Sequence, residues 1–180
     1  VNSNKFKKYF WPQDLINWLE LLVKLVLIIG ALGAIYQFFD IKQENRIKET
    51  IVQVKNFNSG NLEKAQLKFV TVWRNNPEYL KKIKEANEKD QDRIHTEVVM
   101  SIVKKENLDQ DIELLISFFN DLQACIQYQI CDACSAQFFL GSFAKSFYDL
   151  HKPWIKKQED EIHGYSGRLE EFINDSAKCS

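Results

Sequence analysis

Glycine and proline are scarce. With 6 Gly and 3 Pro in 180 residues, the chain is not collagen-like, linker-rich or a turn-dense all-β protein. Cysteine is sparse too, and 4 residues fall well below the density of a disulfide-scaffolded secreted domain. Charge of one sign is not in excess: the formal net charge is -1, which removes the global electrostatic footprint of a nucleic-acid binder. No P-loop, GxGxxG turn, HExxH helix, GxSxG elbow or EF-hand loop occurs, so none of the common phosphate, metal or nucleophile motifs marks an active site. What is present is apolar residues at 45% and charged residues at 27%, a balance that excludes global disorder.

The apolar residues are concentrated near the start. Leu15 to Phe39 runs 25 residues with only Glu20 and Lys24 charged. As a helix it is ~37 Å long, against a hydrocarbon core of ~30 Å. The charge-free part, Leu25 to Phe39, reaches only ~22 Å and is too short to span alone. Lys24 must therefore snorkel toward an interface, with Glu20 one turn before it as a pairing partner. Trp11 and Trp18 stand at one expected water boundary, and Tyr36, Phe38 and Phe39 at the other. Gly30 and Ala34 have small-xxx-small spacing, with Gly33 beside them, which would let a partner helix approach closely in lipid. The segment is expected to be a single transmembrane helix over residues 14–39, preceded by an interfacial tail over 1–13. Its length and the lack of a small-residue cleavage site disfavour a cleaved signal peptide.

After the span no period-two pattern appears, and apolar residues recur at helical spacing instead. Residues 40–58 read as a polar juxtamembrane helix that ends at Asn58-Ser59-Gly60-Asn61. Residues 59–180 read as a soluble helical domain. Its stripes are Leu62, Ala65, Phe69 and Trp73, then Ile94, Val98, Val99, Ile102 and Val103, then Ile112, Leu115, Phe119, Leu122 and Ile126. Asn76-Pro77 opens a short helix. Leu108 to about Ile130 should form the longest soluble helix. Asp132 should cap another running to Leu150, with Pro153 starting a separate one. The expected fold is all-α: one N-terminal transmembrane helix followed by a compact soluble helical bundle. Charge divides unevenly along it, with 14 Lys/Arg against 9 Asp/Glu over residues 41–105 and 6 against 13 over 106–180. The basic half would suit anionic headgroups, or the two halves would pack on each other.

Cys125, Cys131 and Cys134 are the sharpest local cluster, Cys131 and Cys134 forming a CxxC at a helix start. A redox role would want a βαβ setting that is missing, and a metal role would need further ligands, with His151 as the nearest candidate. Buried free thiols are the expected outcome, with a disulfide or a metal site as alternatives. His95, His151 and His163 are expected to be surface or capping residues. Glu159-Asp160-Glu161 and Glu170-Glu171 read as exposed charge runs. No cofactor is expected.

The order of elements resembles bacterial single-span membrane proteins grouped as domains of unknown function. The resemblance rests on a span running into a polar helix, on Phe57-Asn58-Ser59-Gly60-Asn61-Leu62-Glu63-Lys64-Ala65 leading to Trp73, on Ile130-Cys131-Asp132, and on His151-Lys152-Pro153-Trp154-Ile155. It implies a membrane-anchored helical domain and no catalytic residue. The function expected is a non-enzymatic accessory or scaffold subunit. It would dock on a larger membrane protein assembly, or on its own copy, through its helical domain and its span, the span's contact residues being Glu20, Lys24, Gly30, Gly33 and Ala34. The alternative is a membrane-anchored sensor or effector, of stress or phage-defence type, whose domain binds a ligand and whose span oligomerises. The bilayer is the expected partner and nucleic acid is not. Irregularly spaced cysteines, read as free, place the soluble domain in the cytoplasm, with the span in a bacterial inner membrane.

Overall fold

The computed structural model describes residues 13–87, 89–162 and 164–175. These residues form seven α-helices and no strand, in the order α1 Gln13–Phe57, α2 Gly60–Asn75, α3 Pro77–Glu85, α4 Gln91–Glu106, α5 Asp109–Gln127, α6 Ala133–Glu161 and α7 Gly167–Asn174. The chain divides into two units, residues 1–43 and 44–180. The described part of the first is residues 13–43 of α1. The second takes in the last part of α1, whose Thr50 and Phe57 are fully buried, so residues 44–57 belong to the domain's own packing.

In the second unit the stripes read from the sequence face one shared core. It is rich in aromatics: the ring of Phe57 lies 4.8 Å from Phe118, 5.6 Å from Phe119 and 5.2 Å from Phe143. Phe119 also meets Phe172 of α7 at 5.6 Å, and Phe69 meets Phe147 at 5.8 Å. These offset and edge-on contacts join α1, α2, α5, α6 and α7 through side chains that each bury a large apolar area. α5 packs on α2 and α7, and α6 on α4 and α7.

Local signals explain most helix ends. Gly60 takes φ +62, a left-handed turn that a Cβ would strain, and it separates α1 from α2. Pro77 stands in the first turn of α3, where its missing N–H leaves no bond unmade. Asn76, expected to cap that helix, turns back instead, its Nδ2 donating to the Val72 carbonyl at 2.7 Å. Asn107, at φ 51, closes α4, and the Leu108 N–H folds back onto the Val103 carbonyl at 3.0 Å.

Two expected boundaries change. The helix expected over Leu108 to Ile130 stops at Gln127, because Gln129 takes φ 58 and turns the chain. The longest helix of the domain is α6 at 29 residues, and Pro153 lies inside it rather than opening a new one. A proline there removes the N–H that would reach the Asp149 carbonyl. In the same turn the His95 ring Nε2 of α4 lies 2.9 Å from the Leu150 carbonyl. A carbonyl can only accept, so that nitrogen carries the proton.

Candidate functional site

The most unusual surface of the protein is the apolar part of α1. Residues 17–43 are exposed without exception. The helix is long and apolar enough to cross a membrane, and none of its apolar window is buried by the protein's own residues. A soluble protein would have to expose a row of Leu, Ile and Val here to water, which no ordinary surface does. Glu20 and Lys24 form the expected one-turn ion pair at 2.7 Å. Around Gly30 and Gly33 nothing lies within 4 Å of where a Cβ would stand, and Ala34 is exposed, so no described residue covers this small-residue face. Trp18, Tyr36, Phe38 and Phe39 are exposed, and the Phe38 and Phe39 rings meet edge-on at 5.9 Å. Trp11 lies outside the described residues, as do His163 and Cys179.

The cysteine cluster is not a set of free thiols. Cys125 and Cys131 form a disulfide across the turn between α5 and α6, and Cys134 is disulfide-bonded as well. Oxidised sulfur is neither a thiolate ligand nor a nucleophile, so the metal candidacy of Cys125, Cys131, Cys134 and His151 fails on chemistry. Among the described residues no group of three or more His, Cys, Asp or Glu side chains could hold a metal ion.

His151 is not a surface histidine either. It is fully buried among Phe69, Trp73 and Phe147, with ring centroids 5.0, 5.9 and 5.1 Å away. Its Nδ1 lies 3.0 Å from the Phe147 carbonyl and must therefore donate, which leaves Nε2 as an unprotonated lone pair with no partner. Burial lowers its pKa to about 4, so the ring is neutral at pH 7.

The acidic runs prove to be partly structural. Glu159 accepts from the Ser166 hydroxyl at 2.5 Å, and Glu171 accepts from Gln127 Nε2 at 2.6 Å. Glu170 accepts from the Tyr148 hydroxyl. Burial and the facing carboxylate raise the Tyr148 pKa, so the phenol keeps its proton and donates. Asn120, which no sequence motif marks, bridges the same region. Its Nδ2 donates to the Tyr165 carbonyl at 2.9 Å, and its Oδ1 accepts the Leu169 N–H at 3.1 Å. These polar contacts dock the short α7, which could not hold itself as an isolated helix.

An open cleft of about 550 Å³ runs beside α6, lined by Gln137, Phe138, Gly141, Ser142 and Lys145 together with Cys134 and Ile173. Its described lining holds no carboxylate or imidazole and offers a single amine, so it brings together no acid–base pair.

No family model matches the sequence, and no curated protein or solved structure is similar to it. The residues above therefore stand on their own chemistry.

Proposed function

We propose that the chain is a membrane-anchored, non-enzymatic accessory or scaffold subunit, in the manner of the single-span proteins it resembles. α1 crosses the bilayer once over residues 14–39, and residues 59–180, with the last turns of α1, form a compact helical head outside it. The observation that carries this reading is the uncovered apolar length of α1, which lipid would cover. The open face at Gly30, Gly33 and Ala34 is where an integral membrane partner would pack, and the Glu20–Lys24 pair would shelter near the interface or against that partner.

The paired cysteines revise the expected side. With Cys125 and Cys131 oxidised, the argument for a reducing compartment is lost, and we place the helical head on the oxidising face of the membrane.

The test is extraction followed by purification in mild detergent and mass determination. The chain should resist carbonate and co-purify with a fixed membrane partner, and Gly30→Leu should reduce that recovery severalfold. Recovery in the soluble fraction would remove the anchor. Self-assembly that appears only with an added ligand would favour the sensor or effector reading instead.

A further inference from the structure

The helical head carries a second apolar surface, at the end where the chain enters it. Three aromatic side chains are exposed among the described residues of 44–175, namely Tyr128, Phe138 and Phe139, and all fall within twelve residues of one another, with Ile130 between them. Tyr128 is 74% exposed, Ile130 54% and Phe138 83%. Every other aromatic of the head is at least partly covered, so the concentration is local.

Tyr128 and Ile130 occupy the turn between α5 and α6, which is restrained at several points. The Cys125–Cys131 disulfide closes it, and the N–H groups of Ile130 and Cys131 both donate to the Cys125 carbonyl, at 3.0 and 3.1 Å. A turn this constrained does not expose two large side chains through slackness. Burying them in the core would also stabilise the head, so their exposure calls for a partner.

The position of the turn indicates which partner. Phe118 and Phe119 of α5 pack on Phe57, whereas the Cys131 carbonyl accepts from the Arg46 guanidinium at 3.4 Å. α5 thus descends alongside α1 in the opposite direction, and the turn after it ends level with Arg46. Arg46 follows Phe39, the last residue of the apolar run, by seven positions, a length of chain that cannot exceed about 25 Å even fully extended. The interfacial region of a bilayer is itself several Å deep on each side. A tether of seven residues limits how far that turn can stand from any membrane the apolar run crosses.

We infer that Tyr128 and Ile130 form a second membrane contact, seating the head on the lipid headgroups. Tyr suits this depth, with its ring among the acyl-chain ends and its hydroxyl in water. The contact is made by apolar side chains and not by charge, so it holds on either face of the membrane. It rests on the proposed span.

Photocrosslinking of the full chain in phosphatidylcholine–phosphatidylglycerol vesicles tests it. A benzophenone amino acid is placed singly at Tyr128, at Ile28 within the span and at Ile162, an exposed position just past the opposite end of α6. Lipid adducts at 28 and 128, with a yield at 128 severalfold above that at 162, are the expected result. Adducts at 28 with none at 128, or adducts at 128 to a second copy of the chain, would overturn the headgroup contact and leave the span standing. Absence of lipid adducts at 28 would remove the span, and this contact with it. Tyr128→Asp with Ile130→Asp should also increase amide exchange in residues 126–131 on vesicles but not in detergent.

Discussion

The hydroxyl of Thr50 accepts the backbone N–H of Asp132 at 2.8 Å and donates its own proton to the Arg46 carbonyl at 2.9 Å, joining α1 to the start of α6 across 82 residues. Asp132 then caps α6 with its side chain, accepting the Ser135 N–H at 2.8 Å. The Thr50 hydroxyl is fully buried, so both bonds are made out of water. Thr50→Val keeps the shape and removes both bonds, so it should cost about 1–3 kcal/mol. Thr50→Ser should cost clearly less. Denaturant titration of both variants decides it, and equal losses would show that packing alone matters there.

Acid should unfold the head through His151. Its pKa in the folded state is lowered from 6.5 to about 4 by burial, with His95 adding a smaller push in the same direction. The unfolded chain therefore binds a proton that the folded chain refuses. Stability is complete above pH 6.5 and declines as pH falls toward 4, by about 3 kcal/mol over that window. His151→Leu should flatten the curve in that range. An unchanged pH dependence in the variant would mean that another group sets the acid sensitivity.

Much of this architecture was legible from periodicity. The buried faces of α2, α4 and α5 are the stripes the sequence shows, because 3.6-residue spacing records which side of a helix meets the core. The Asp132 cap was legible for the same local reason. What was hidden depended on contacts distant in sequence. Pro153 signals a helix start, and nothing nearby reveals that His95, 55 residues away from Leu150, supplies a donor to the turn before it. Burial of His151 and Glu159's bond to Ser166 were missed likewise, since a polar residue type says nothing about who faces it. The disulfide ranks only as an alternative to free thiols in the sequence, because a CxxC draws attention to Cys131 and Cys134, while Cys131 pairs backward with Cys125 across the turn.

Asn120 should govern α7. Removing its amide with Asn120→Ala leaves the Leu169 N–H, on a fully buried residue, without its acceptor, and the Tyr165 carbonyl without its donor. A loss of about 1–3 kcal/mol is expected. Hydrogen exchange should locate it in residues 167–174, with α4 unaffected. Uniformly faster exchange throughout the head would instead make Asn120 a general core residue.

The disulfide yields a prediction about stability and another about cellular address. Cys125 and Cys131 are six positions apart, so the closed loop is short, and a chain-entropy argument gives about 2 kcal/mol for the bridge. Replacing both cysteines with serine should lower the denaturation midpoint accordingly and free the turn that carries Tyr128. Alkylation in intact cells before lysis addresses the compartment. If the head faces an oxidising space, Cys125 and Cys131 should resist the reagent until a reductant is added. Modification without reductant would show reduced thiols in the cell and return the head to the cytoplasmic side, where free cysteines are the rule. The membrane contact proposed for Tyr128 would survive that reversal, because an aromatic side chain meets headgroups equally well on either face.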